Sequence, residues 1–367
     1  MMKIKITTLT PVHVGSGREI QGGFEYVALP QEKLVAVLDP EKVLNLIGEE
    51  HLDLWVSCIE KGENILQKIP QLRNRSSAEL AARTIPSRKP VEKPIREQIR
   101  SGNGQALLPG SSLKGALRTT VWAETLLDNK QLVKDRYKLG RDDRGKMRWS
   151  DSSLQKQLFG SDPNHDIFRL LQVGDAYFNN TAVFQTQLVN LKGKNWRIDR
   201  GEGKGTSPDT LIEAIPAGQS AFYEMRFNDL LLERAKGTDT FKQYTERLSI
   251  PELFKLVNAY TERLVSDESD YWANEDLPNG FEPYPDELDR IIGLLGSCEA
   301  NECILRLGWG SGFRSMTGDW HGAMNERDYD DLIRSLRPPK YDGLLYPKTT
   351  RFVEEGLPLG FVKLTIV

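Results

Sequence analysis

The chain opens on alternating apolar and polar positions. In "KIKITTLT" (Lys3 to Thr10) a period of two sets Ile4, Ile6 and Thr8 on one side, the pattern of a half-buried strand. Pro11 and a Gly15-Ser16-Gly17 turn are expected to stop it. "FEYVAL" and "KLVAVLD" read as short strands separated by Pro30, and a helix follows Pro40 in "EKVLNLIGEE". The pattern then fails over about 68–105. "RNRSS", "SRKPVEKP" and "SGNG" supply breakers and charge with little apolar periodicity, so a mobile basic insertion is expected. Helical spacing resumes in "LLPGSSLKGALRTTVWAETLL", with a turn at Pro109-Gly110, a cap at Ser111 or Ser112, and Leu113, Leu117, Val121, Leu126 and Leu127 at roughly helical spacing. A second basic, glycine-containing stretch covers 130–148, and "RLLQVGDAYF" reads as a strand closing a first unit near residue 178.

The second half repeats this order coarsely. "TAVFQTQLVNLK" is a strand candidate, and after a polar stretch "LIEAIPAGQSAFYEMRF" gives two strands around Pro216-Ala217-Gly218. A helical region fills roughly 228–300, interrupted by the acidic, aromatic "DESDYWANEDLPNGFEPYP". "CILRL" leads as a strand into a glycine loop, a helix occupies Asn325 to Leu336, and "GFVKLTIV" is the last strand. Strands and helices in this order predict an α+β chain of two tandem sandwiches, 1–178 and 179–367. The length of 367 residues agrees, because single cores usually stop growing below that size.

Composition narrows the class. With 39% hydrophobic and 28% charged residues the chain has material for real cores. No apolar run approaches the roughly 18 residues of a membrane span. The N-terminal stretch lacks the apolar core of a signal peptide. A cytoplasmic location without a membrane partner is therefore expected. Cys58, Cys298 and Cys303 are too few and too scattered for a disulfide framework or a zinc site, and His13, His51, His165 and His321 are likewise dispersed. No metal and no cofactor are expected. The net charge of −3 hides local asymmetry. Lys68 to Arg100 holds nine Lys/Arg against three Glu, and Lys130 to Arg148 eight against three Asp; Glu262 to Asp289 holds ten acids against Arg263. Basic surface for a polyanion and an acidic face elsewhere fit this pattern, as do solvated loops and a solvated helix.

Among motifs, no G-x-x-x-x-G-K-[ST] occurs, and neither "GWGSG" nor "GEGKG" fits G-x-G-x-x-G. G-x-S-x-G and H-E-x-x-H are absent too. "PGSSLKGALR" offers free N–H groups at a helix start, with Lys114 and Arg118 four apart on one face, enough for one or two phosphates. An ordinary capped helix with a solvated basic edge fits the same residues. "RLGWGSGF" (Arg306 to Phe313) places three glycines in five positions, a backbone that bends tightly or is closely approached.

Four segments taken together resemble the RAMP superfamily of CRISPR proteins: "TPVHVGSGRE" after the first strand, "LPGSSLKGALRTT" opening a helix, "LGWGSGF" after a late strand, and the closing "PKTTRFVEEGLPLGFVKL". The last narrows the resemblance to subunits that cap the crRNA 3′-end side of the type III-A (Csm) effector. The segments keep the family's order and frame almost the whole chain, while 45–105 and 128–165 carry no shared motif. The resemblance implies two ferredoxin-like, RRM-related domains with crRNA along a basic face and a neighbouring backbone subunit docked alongside. Its RNA contacts would fall at His13, Gly15, Ser16, Gly17 and Arg18, and at Ser111, Ser112, Lys114 and Arg118. They would continue in the glycine loop at Gly308, Trp309, Gly310, Ser311 and Gly312, with Arg314, Lys348 and Arg351 beyond it. Trp309 or Phe313 could stack on a base or anchor the last sheet.

The implied role is binding, with target RNA and host nucleases for 3′-end trimming as further partners, and the acids from Asp267 to Asp289 as a face for a basic partner. Family backbone subunits that cut RNA use an aspartate after the first strand; here "GSGREIQGGFEYV" has Glu19 and Glu25 but no Asp. The alternative is a RAMP-type endoribonuclease that processes repeat RNA with His13 as general acid or base. A type III-B terminal subunit and a scaffold without RNA are the other readings.

Overall fold

The computed structural model describes residues 2–89, 91–133, 138–141, 143, 147–192, 195–199, 209–236, 249–336 and 349–367. Ile4 and Ile6 are fully buried in the first strand, Met2–Thr8, as the alternation requires. That strand is the middle of a five-stranded antiparallel sheet. On one side it pairs with Ser220–Phe227 and then Leu171–Val173; on the other it pairs with Phe361–Ile366 and then Glu302–Arg306. The central strand of this sheet thus comes from the first half and most of its partners from the second. The sheets cross the boundary drawn at 178/179.

A second sheet runs Asn195–Asp199, Ala182–Lys192, Thr210–Ala214, Ile95–Gln98 and Gly15–Ile20, with Thr349–Val353 also paired to Ala182–Lys192. Three of these strands, Gly15–Ile20, Thr210–Ala214 and Thr349–Val353, stand next in strand order to a strand of the first sheet. The connecting segments form a seam: Val12 and Ile215 exchange backbone hydrogen bonds, Gly360 N donates to Pro11 O, and Leu307 N donates to Gly360 O.

Helices pack on both sides of this frame. Gly110–Asp128 buries Leu113, Leu117 and Leu126 against the first sheet. Ile250–Ala273 starts at Ser249, whose Oγ accepts from Glu252 N, with Pro251 in the first turn where its missing N–H is harmless. Together with Pro283–Gly296 it closes an aromatic core of Trp196, Trp272, Phe281, Tyr284 and Phe352.

Several expectations are corrected. The Gly15-Ser16-Gly17 segment is part of an exposed edge strand, not a stop, because it pairs with Ile95–Gln98 in an irregular register. The stretch 68–105 is built rather than loose: Ile69, Leu72, Leu80, Ile85 and Ile95 are fully buried. They lie on elements too short to show a period. Ala81–Pro86 joins Tyr26–Leu29 and Leu34–Leu38 in a small sheet whose own core includes Val27, Val43 and Cys58. The strand candidate near 178 is two strands, Leu171–Val173 and Ala176–Phe178, in different sheets. The basic stretch 130–148 lies partly outside the described residues, which there form a helical turn and a hairpin of Lys138–Arg141 with Met147–Trp149.

Candidate nucleic-acid interface

The glycine loop begins where Glu302–Arg306 ends, and it lies against the seam. Trp309 N donates to His13 O at 2.9 Å, and a Cβ on Gly308 would lie 2.7 Å from that same oxygen. A Cβ on Gly310 would lie 2.5 Å from Leu359 Cδ1. The close neighbours of these two glycines are therefore segments of this chain. Gly312 differs: it is exposed, with nothing within 4 Å of its virtual Cβ. Ser311 is buried and its hydroxyl donates to Gly308 O, closing the turn.

His13 is 2% exposed. Its Nδ1 lies 2.7 Å from Glu213 O, so the tautomer that fits carries the proton on Nδ1, and its ring meets Trp309 edge-on with centroids 5.8 Å apart. Burial pulls its pKa below the ordinary histidine value, which keeps the ring neutral near pH 7. Nothing in this geometry opens the imidazole to solvent.

Behind His13 runs a charged network that sequence reasoning did not find. Glu213 is fully buried, and it accepts from Arg83 Nη1 at 2.7 Å, from Thr181 Oγ1 at 2.7 Å and from Arg100. Burial alone would raise the Glu213 carboxyl, but the two guanidinium charges and the Thr181 bond bring it below its ordinary value. Arg83 continues to Glu97 at 3.1 Å, and Glu97 accepts from Ser16 Oγ at 2.9 Å. A chain of paired charges thus ties the core to the exposed edge at Gly15 to Arg18. Two arginines of the inner rank are consequently engaged inside the protein.

A second pair of arginines lies further out, one of them, Arg351, donating from Nη1 to Thr186 Oγ1 at 3.0 Å. Arg96, on the strand Ile95–Gln98, and Arg351, on Thr349–Val353, both lie over the Trp309 ring, with guanidinium carbons 5.1 and 4.7 Å from its centroid. Trp309 itself is half-buried against Val353, Leu359 and Ile212. Burial and then the charge of Arg96 lower the pKa of Arg351, so two like charges converge on one indole. Arg96 has only a loose ion pair with exposed Glu19 at 3.4 Å, and its Nε makes no hydrogen bond. Arg18 nearby is 69% exposed and pairs equally loosely with Glu25. Exposed pairs of this kind contribute about 0–1 kcal/mol and yield to a stronger anion. The edge Gly15 to Arg18, Arg96, Trp309 and Arg351 thus form one cationic, aromatic surface at the seam.

The remaining sequence-derived candidates lie elsewhere. The helix containing Ser111 and Ser112 starts at Gly110, whose N–H donates to Asp175 Oδ1 at 2.7 Å, so its first donor already has a carboxylate. Lys114 and Arg118 border a shallow cleft of about 590 Å³ with Lys156, Arg169, Asp151 and Asp166. Arg118 pairs with Asp166 at 2.8 Å and lies 3.6 Å from the Phe159 centroid; burial lowers the pKa of both cations. Arg314 is held by Asp267 and Asp319, and their bonds and charges outweigh its burial and raise its pKa. Its charge is met within the protein. Phe313 lines a small cavity with Tyr271 and Trp272. Lys348 lies outside the described residues.

Of the acids from Asp267 to Asp289, several face inward partners: Glu268 pairs with Arg306, Glu275 accepts from Trp196, and Asp289 accepts from Ser269. Asp270, Asp276 and Asp286 are exposed. Among the described residues no group of three His, Cys, Asp or Glu side chains is placed to hold a metal ion, and no helix is long and apolar enough to cross a membrane.

A family model described as the RAMP superfamily matches residues 5–315. Among solved structures, a chain from the cryo-EM structure of a Csm-crRNA-target RNA ternary complex in a type III-A CRISPR-Cas system has a similar fold. It superposes with a TM-score of 0.70 at 21% identity, covering 99% of this chain and 100% of that one. The crystal structure of T. onnurineus Csm5 does so with a TM-score of 0.67 at 18% identity, again over 99% and 100%. No curated protein sequence matches.

Proposed function

Because the chain belongs to the RAMP superfamily, we propose that it is a non-catalytic, RNA-binding subunit of a type III-A CRISPR effector complex. In this reading it holds the 3′ region of the crRNA, caps the filament against the adjacent backbone subunit, and supports crRNA 3′-end maturation and antiviral defence. The convergence of Arg96 and Arg351 on Trp309 beside the exposed Gly15 to Arg18 edge carries the reading. A phosphate between two guanidinium groups relieves their repulsion, and a base can lie along the exposed rim of the indole. The fold shared end to end with a chain of a Csm-crRNA-target RNA complex supports the assembly. Burial of His13 supports binding over cleavage, since a general acid or base must come within hydrogen-bond reach of its substrate.

The test is gel-shift binding of the purified protein to labelled crRNA across a salt series, with cleavage products read on the same samples. The expected result is salt-sensitive binding without cutting. Arg96→Ala with Arg351→Ala should weaken it and reduce the salt slope by about one, for the one phosphate the two arginines share. Lys114→Ala with Arg118→Ala tests the separate cleft in the same way. Cutting that disappears in His13→Ala would overturn the proposal in favour of a processing endoribonuclease. Binding unchanged in both paired variants would overturn the assigned surface.

A further inference from the structure

Among the described residues, four of the exposed large apolar side chains sit on one ten-residue helix, Leu52–Lys61. Leu52, Val56 and Ile59 are spaced by four and three, which aligns them as a single stripe, and they are 41%, 44% and 43% exposed. The helix is anchored by the adjoining face, where Cys58 is fully buried and Trp55 packs on the same small core as Val43 and Ile65. Its outward stripe is therefore not a consequence of loose attachment.

The charges beside the stripe are one-sided. Asp53 and Glu60, seven apart and each next in sequence to a stripe residue, form an acidic rail along it, and Glu49 and Glu50 continue the acid past the helix start. All four are exposed. Glu50 approaches His51 at 3.7 Å, while Asp53 and Glu60 make no ion pair among the described residues. Such a rail repels phosphodiesters and anionic lipid, and it favours an apolar ridge flanked by cations. The placement also suits contact with another molecule. The small sheet and its helices are inserted between Gly15–Ile20 and Ile95–Gln98. Tyr26, Val35 and Ile85 pack the small sheet on the second sheet at Val183 and Leu211, while Leu52–Lys61 belongs to the separate small core with Val27 and Val43.

We infer that the Leu52–Val56–Ile59 face docks a protein partner, specifically an amphipathic helix whose apolar ridge is flanked by Lys or Arg. This site is independent of the RNA-binding reading and uses none of its residues. It is tested on the full chain by fluorescence anisotropy with two labelled 18-residue helical peptides. Both carry leucines at i, i+4 and i+7; one has lysines beside them, the other glutamates. The lysine peptide is expected to bind at least tenfold more tightly. Val56→Asp with Ile59→Asp should remove at least tenfold of that affinity, with thermal melts confirming the fold. Asp53→Lys with Glu60→Lys alters only exposed charges and should reverse the peptide preference. Equal binding of the two peptides, or a preference that survives charge reversal, overturns the inference. So does a stripe-dependent dimer in analytical ultracentrifugation, which would give the face to a second copy of this chain.

Discussion

Gly308 and Gly312 share a positive φ, 85° and 87°, yet a side chain would meet different surroundings at each. At Gly312 the strain is conformational, about 1–3 kcal/mol for a non-glycine residue. At Gly308 the added Cβ also presses on the His13 carbonyl that holds the loop. Gly308→Ala should therefore lose more stability than Gly312→Ala in urea unfolding, and equal losses would show that the seam gives way easily. His13 provides a pH signature. Its folded pKa is lowered by burial, so below its ordinary value near 6.5 the unfolded chain binds the proton that the native state resists. Its contribution falls as pH drops through 6.5 towards the folded value. The stability gap between the protein and His13→Gln should shrink over that range, and a gap independent of pH would contradict the buried neutral ring. At this scale the resemblance singled out Trp309, His13 and Arg351, but it gave no sign that His13, expected to touch RNA, is buried. Arg96 and Glu213 were not legible, because a buried ion network leaves no periodic trace and Arg96 sits on a four-residue strand inside a stretch that looks like loop.

Elements were legible in proportion to their length. The helix Gly110–Asp128 announces itself by spacing, though it starts at Gly110 without the expected serine cap. Ile250–Ala273 was read only as part of a helical region and runs on through the acidic residues expected to interrupt it, and the strands Met2–Thr8 and Phe361–Ile366 show by apolar content. Residues 68–105 were misread because short elements each contribute one or two buried side chains, too few to set a period. The acidic segment conceals a packing function as well. Trp272, 2% exposed, touches Trp196, Phe281 and Tyr284 with ring centroids 4.7, 4.8 and 6.4 Å away. Trp272→Ala should cost about 3–5 kcal/mol, the usual range for removing a buried aromatic, read as a lower urea midpoint. A cost under 1 kcal/mol would mean that the helix pair Ile250–Ala273 and Pro283–Gly296 is held chiefly elsewhere.

At the scale of the molecule, α+β class was legible and topology was not, because alternation reports that a strand is half-buried without saying which strand it joins. Met2–Thr8 takes both of its neighbours from beyond residue 219. Residues 1–178 and 179–367 expressed separately should therefore be poorly folded by circular dichroism and proteolysis, and should recover native structure when co-expressed. Two independently folded halves would refute the shared sheet.

The same pairing bears on how the protein is made. The middle strand, Met2–Thr8, is made before both of its neighbours, Ser220–Phe227 and Phe361–Ile366. While the ribosome adds the intervening chain, Ile4 and Ile6 have no sheet to enter. At translation rates of about 5–20 residues per second the wait for the first of them, Ser220–Phe227, lasts roughly 10–40 seconds, long enough for a chaperone or a neighbouring nascent chain to compete for the strand.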